Sequence, residues 1–94
     1  MEFRIGGMVY FVEDASNLAR KHDAWGKVYY DTCKIEIEEE LCENRKKEVI
    51  VHELLHAMFH EAGFSQQDEE IVNRVGLILH RFLQDNDLSI FREE

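Results

Sequence analysis

The sequence predicts an α+β domain, in which a small, mostly antiparallel sheet of about four strands and a short N-terminal helix precede two longer helices. Two patterns predict this class. Short apolar runs, broken by turn residues, fill about the first 40 positions. Helical periodicity replaces them from about residue 44 onward. A chain of 94 residues suits one domain over residues 1–94 and is too short for two ordinary ones.

The strands follow in order from local signals. Residues 3–13 predict two strands about the turn Gly6-Gly7, because glycine accepts the positive φ of a tight hairpin. Residues 14–23 predict the short helix, and residues 27–30 predict a third strand. Residues 34–38 alternate isoleucine with glutamate, which predicts a strand with one buried face. Because its other face is charged, we expect the strand 34–38 to form an edge of the sheet.

Two helices complete the domain. The first is predicted from about Asn44 to Ala62, with Gly63 at the position of a left-handed C-cap. The second begins after a capping pattern at residues 65–68 and continues to about Gln84. Its apolar residues form one wide stripe, which an amphipathic helix buries. They are Ile71, Val75, Ile78, Leu79 and Phe82. The apolar residues of the segment 88–91 are expected to pack back onto the core.

Composition excludes several classes of partner. The formal net charge of −9 argues against nucleic acid and against an anionic membrane surface, because both attract basic proteins. No apolar run approaches the roughly 20 residues that span a bilayer, and the N-terminus does not resemble a signal peptide. The two cysteines, Cys33 and Cys42, match neither a redox pair nor a structural zinc spacing. We therefore expect a cytoplasmic protein.

The first long helix carries the sequence pattern H-E-x-x-H at residues 52–56. His52 and His56 share a helix face, roughly 6 Å apart along the axis, so both imidazoles can bind one tetrahedral metal ion. Glu53, turned by about 100° from His52, borders that site and could take a proton from a metal-bound water. The pattern predicts a Zn²⁺ site, although two histidines and a carboxylate also suit Fe²⁺.

A catalytic zinc ion needs a third protein ligand. His60 continues the histidine series but lies about 12 Å along the helix from His52, too far to share one ion with it. Glu69 is the preferred third ligand, because a short connection turns the start of the second helix toward the histidines. Glu70 and Asp68 are the alternatives. A glycine at position 76, seven residues after Glu69, would let the helices approach closely.

The same residues resemble a known group of enzymes. Residues 51–57 with the H-E-x-x-H pattern, then Gly63, then residues 69–74, are similar to zincin metallopeptidases that have a glutamate as third ligand. Within that group they are most similar to the ImmA/IrrE-type metallo-endopeptidases and to small phage- or prophage-borne proteins grouped with them. The resemblance covers about residues 34–76.

The resemblance implies a minimal zincin-like fold with one active-site helix. Carried over, His52 and His56 are zinc ligands, Glu53 is the general base, Glu69 is the third ligand and Asn73 supports it. A zincin substrate lies antiparallel along an edge strand, and the expected edge strand here is the one at residues 34–38.

The sequence thus predicts a zinc-dependent metallo-endopeptidase that acts on a peptide or protein. The alternative is a metal-binding, catalytically weak or inactive module that regulates a phage or host protein by contact. A structural domain without metal is the third interpretation, and the oligomeric state stays open. Candidates for a group that stabilises the oxyanion are Tyr29, Tyr30, His60 and His80, by residue type alone.

Overall fold

The computed structural model describes residues 1–22 and 24–92. Its strands are β1 (Glu2–Ile5), β2 (Met8–Ala15), β3 (Gly26–Tyr29) and β4 (Lys34–Glu38). Its helices are α1 (Leu18–His22), α2 (Glu43–Glu61) and α3 (Glu69–Asp85), followed by a 3-10 turn at Ser89–Phe91. The α+β class and the four strands are therefore confirmed. No helix in the described part of the chain is long and apolar enough to cross a membrane.

The strand order is β1-β2-β4-β3, which makes the sheet mixed rather than purely antiparallel. β2 pairs with β4 in parallel, whereas the other two pairings are antiparallel. β4 is a central strand, so the prediction that residues 34–38 form an edge was wrong. Two of its glutamates form hydrogen bonds within the protein. Glu38 is buried and accepts one from the backbone N–H of Leu18, and Glu36 accepts one from the Tyr29 hydroxyl. The edge strands are β1 and β3.

The N-terminal half follows its local signals closely. Gly6 and Gly7 both have positive φ, 58° and 88°, as the predicted turn requires. The predicted helix over residues 14–23 is shorter than expected, because β2 continues to Ala15 alongside β4 and α1 begins only at Leu18. The last predicted residue of that helix, Asp23, lies outside the described residues.

The core lies between the sheet and α2. Apolar residues from both meet there: Ile5, Tyr10, Val12, Ile35, Ile37, Val49, Leu54 and Ala57. The hydroxyl of Tyr10 donates a 2.6 Å hydrogen bond to Glu61, which ties β2 to the last turn of α2. α2 is thus held against the sheet along its length, and this fixes the position of the H-E-x-x-H pattern.

α3 packs on α2 as an outer layer, through a narrow face. Its buried residues are Val72 and Gly76. The prediction that its apolar stripe is buried was wrong for most of the stripe, since the face turned to α2 is a different one: Ile71, Val75, Ile78 and Phe82 are exposed, and Leu79 is half-buried. Most of the tail does not pack back either, because Ile90 and Phe91 are largely exposed and Leu88 is half-buried.

Candidate metal centre

The two histidines of the H-E-x-x-H pattern converge above the surface of α2. His52 and His56 are one helical turn apart, and their Nε2 atoms are 3.2 Å from each other. Their rings are half-buried and meet edge to face. Two imidazole nitrogens this close form the beginning of a metal site, because a histidine protonated on Nδ1 alone offers the lone pair of Nε2 to an ion.

Glu69 completes the cluster from the first turn of α3. α2 ends at Glu61, and Gly63, with φ 101°, reverses the chain. The carboxylate of Asp68 then caps α3 by accepting hydrogen bonds from the backbone N–H groups of Glu70 and Ile71. This cap orients the first turn, so that Glu69 points back to the histidines.

The distances identify Glu69 as the third member. Its carboxylate oxygens lie 3.0 Å from Nε2 of His52 and 3.3 Å from Nε2 of His56. The alternatives are engaged elsewhere: Glu70 forms an ion pair with Arg74 at 2.7 Å, and Asp68 caps the helix. Among residues 1–22 and 24–92, this trio is the one group of at least three metal-ligating side chains that converge on a point.

The trio has the dimensions of a tetrahedral metal site. Ligand atoms at about 2.0–2.1 Å from a tetrahedral ion are separated from one another by about 3.3 Å. The closest approaches here are 3.0 Å to Oε1 of Glu69, 3.3 Å to its Oε2 and 3.2 Å between the imidazoles, and one ligand atom from each residue can be chosen so that all three lie within 4.8 Å of one another. Two imidazoles, one carboxylate and an open fourth position are also the donor set of catalytic zinc. The residues present therefore fit a zinc ion.

Electrostatics keep His52 ready to bind a metal. Burial lowers its pKa, and the neighbouring His56 lowers it further, while Glu69 acts in the opposite direction. Burial outweighs the carboxylate, so the neutral imidazole is favoured. Metal ligation requires that neutral form.

Glu53 borders the cluster as a buried carboxyl group. It is 7% exposed, and burial raises its pKa to about 7. The charge of Glu69 adds to that rise, whereas His56 and Lys27 oppose it. Its side chain lines the cleft together with those of the trio.

Gln67 is a member of the site that the sequence did not predict. Its side-chain oxygen lies 2.6 Å from Nδ1 of His56, and its amide donates to the backbone oxygen of His56 and to the hydroxyl of Tyr30. When Nδ1–H of His56 donates its hydrogen bond to this oxygen, the lone pair of the ring lies on Nε2, toward Glu69. The only sequence signal was its place in the short connection between the helices.

The remaining predicted residues occupy distinct positions. Asn73 lines the cleft but forms no hydrogen bond to the trio among the described residues, so Gln67 takes the orienting role expected of it. His60 is exposed and stacks on Tyr30 at 4.1 Å, outside the trio as expected. Of the other candidates for stabilising the oxyanion, Tyr30 lines the cleft. The Tyr29 hydroxyl donates a hydrogen bond to Glu36, and His80 lies in a separate surface pocket.

The cluster opens into a cleft of about 750 Å³ between β3, α2 and α3. Trp25 and Leu77 give this cleft an apolar end, and Glu48 and Lys27 add charge to its walls. The volume lies within the range of small-molecule and peptide side-chain sites.

Comparison of the chain with protein-family models, with curated proteins and with solved structures finds no match in any of the three.

Proposed function

We propose that this chain is a zinc-dependent metallo-endopeptidase with a minimal zincin-like fold. His52, His56 and Glu69 are the zinc ligands, and Glu53 is the general base. The observation that carries the proposal is the convergence of these three ligands beside a buried carboxyl group, within one open cleft. Each of the four residues has the type and position that hydrolysis of a peptide bond requires.

The residues of the chain divide the chemistry between them. A zinc ion bound by the trio would supply Lewis acidity toward the scissile carbonyl and toward a water molecule. Glu53 accepts the proton of that water and then delivers it to the leaving amine. Glu53 lines the same cleft as the trio, so its carboxylate borders the space in which that water would lie. Gln67 holds His56 with Nε2 toward the ion.

The cleft also offers a place for an extended substrate. β3 is an edge strand, and its residues Gly26, Lys27 and Val28 line the cleft. A peptide that pairs with the outer edge of β3 would pass beside Glu53. β3 therefore takes the role that the sequence had assigned to residues 34–38.

Substitution Glu53→Gln tests the proposal. The zinc-loaded chain is expected to cleave members of a fluorescence-quenched peptide library, and E53Q to lose at least about 100-fold in rate. Its zinc content, measured by elemental analysis, should remain near one equivalent. The control is Glu70→Gln, which removes an equal charge from an exposed ion pair. Full activity in E53Q would contradict the proposed base.

The same experiment separates the peptidase from a metal-binding module that acts by contact. If wild-type protein holds one equivalent of zinc but cleaves no library member, the peptidase proposal fails and the metal site stands. If purified protein binds no divalent metal, both fail. Chelation then leaves thermal stability unchanged, whereas loss of a bound ion would lower it.

A further inference from the structure

The exposed side of α3 carries an uninterrupted apolar stripe. Ile71, Val75, Ile78 and Phe82 are spaced by four, three and four residues, which is the a/d spacing of helices that pack side by side. Each of the four is between 45% and 67% exposed. A contiguous exposed apolar patch of this kind often has a function in binding.

The stripe lies away from the candidate metal centre. At 100° per residue, it is centred about 150° around the helix from Glu69. Only Val72 and Gly76 of α3 are buried, so packing against α2 uses the arc between these two sides. A partner helix on the stripe would leave the cleft open.

We propose that the stripe is a homodimer interface, in which α3 packs antiparallel against α3 of a second copy. A twofold axis between Val75 and Ile78 would place Ile71 opposite Phe82 of the partner subunit. Every apolar residue of the stripe then meets another, and the surface is complementary to itself, as a twofold interface requires. The regular a/d spacing favours a helix as the occupant over a strand or a loop.

Charge beside the stripe favours the antiparallel orientation. Glu70 and Arg81 lie on the same flank of the stripe, near opposite ends of α3. In the antiparallel pair, Glu70 lies at nearly the same height as Arg81 of the partner subunit, and the twofold axis forms this ion pair twice. A parallel pair would instead place Glu70 and Arg81 of the partner subunit at opposite ends of the helix pair, so this ion pair could not form.

The area is adequate for a dimer of modest stability. Four half-exposed apolar side chains over about three helical turns present a patch of several hundred Å² in each copy. Two such patches together bury somewhat less than about 1,000 Å², which is the size of a weak or transient interface. We therefore expect dissociation in the micromolar range.

Analytical ultracentrifugation of the full chain tests the interface. Wild-type protein is expected to sediment as a dimer at about 100 μM and to dissociate on dilution, whereas Ile78→Asp is monomeric throughout. Ile78 is 67% exposed, so the substitution removes little packing from the monomer. The control is Ile90→Asp, the same change at an exposed site outside the stripe, which should leave the dimer intact. Circular dichroism checks that both variants fold, and Val75→Lys gives a second test at the centre of the stripe.

A monomeric wild type at 100 μM would overturn the proposal and leave the stripe to another protein. A dimer that persists in both I78D and V75K would place the interface elsewhere.

A charge exchange tests the orientation. Arg81→Glu should weaken the dimer several-fold, because it faces Glu70 of the partner subunit. Adding Glu70→Arg to that variant should restore the affinity. If the double variant is as weak as R81E, the helices are not antiparallel and that part of the proposal is wrong.

Discussion

The two long helices hold the candidate metal centre in different ways. α2 is packed between the sheet and α3, and six of its 19 residues are buried, among them the general base proposed above. α3 buries two of its 17 residues and turns most of its surface to solvent. α2 therefore fixes where the site is, whereas α3 completes it through Glu69, whose side chain is 64% exposed. A site shared in this way can lose its third ligand without losing its fold.

The largest expected effect follows from that division. Glu69→Gln replaces a charged ligand with a weakly coordinating amide at an exposed position, so zinc affinity should fall by more than the 10–100-fold that loss of an outer partner costs. Isothermal titration with zinc measures the change, and the thermal stability of the metal-free protein should stay near that of wild type. Glu70→Gln, one residue away, should leave the affinity unaltered. Equal losses in both variants would mean that net charge, rather than ligation, is responsible.

Glu53, which is buried on α2, predicts that the stability of the metal-free protein depends on pH. Burial raises the folded-state pKa of Glu53 to about 7 from an ordinary 4.5. Its contribution to stability is fully present below about pH 4.5 and is lost as the pH rises through about 7, because the unfolded chain releases the proton first. Each pKa unit corresponds to about 1.4 kcal/mol, so the loss is on the order of 3 kcal/mol.

Urea denaturation between pH 4 and pH 8, with chelator present, measures this dependence. E53Q cannot ionise at this position, so its free energy of unfolding should fall less than that of wild type over the interval. Glu13→Gln serves as the control, since it removes one exposed carboxylate that lies outside both the cleft and the stripe. Parallel curves for wild type and E53Q would show that Glu53 is not held in an apolar environment.

Gln67 lies between the two helices, and its removal tests how they cooperate. Gln67→Ala deletes the acceptor at Nδ1 of His56 and the link to Tyr30, while all three proposed metal ligands remain. Zinc affinity should fall about 10–100-fold. Gln66→Ala, at an exposed neighbouring position, is the matched control. An unchanged affinity in Q67A would show that packing alone orients His56.

Local patterns predicted much of the candidate site, because His52, Glu53 and His56 lie within about one turn of α2 and Glu69 follows a short connection. The H-E-x-x-H spacing places two imidazoles on one face of any helix, and a short reversal after Gly63 returns Glu69 to them. The sequence did not predict Gln67, because its amide can orient His56 only where the tertiary structure brings the two side chains together. Nothing about its neighbours in sequence distinguishes it from Gln66.

Long-range pairing limited the prediction of the fold. β4 has the predicted bounds, but its place between β2 and β3 depends on a parallel pairing that no local pattern encodes. The periodicity of α3 correctly indicated an apolar stripe and said nothing about what covers it. The spacing of apolar residues along a helix identifies its apolar face. Whether that face is buried depends on which other elements pack against it.

Two glycines line the cleft, one in the sheet and one in α3, and the same substitution should affect them oppositely. A Cβ atom at Gly26 would lie 2.8 Å from Cγ1 of Val49 and 2.9 Å from Cγ of Glu53, both on the closely packed α2. Gly26→Ala should therefore lower the free energy of unfolding by about 1–3 kcal/mol and displace Glu53, which lowers the rate of cleavage. Chemical denaturation and the peptide assay measure the two effects.

Gly76→Ala is the smallest change and the sharpest test of how α3 meets α2. A Cβ atom there would lie 3.8 Å from Cα of His52 and 3.9 Å from Cδ2 of Leu55, which are ordinary contacts. Alanine also loses less backbone entropy than glycine in a helix, so the free energy of unfolding should rise by up to about 1 kcal/mol, with zinc affinity unchanged. Gly76→Leu, which cannot fit, should lower both. If alanine already weakens zinc binding, α2 and α3 approach each other more closely than these contacts indicate, and Gly76 sets the distance from Glu69 to the histidines.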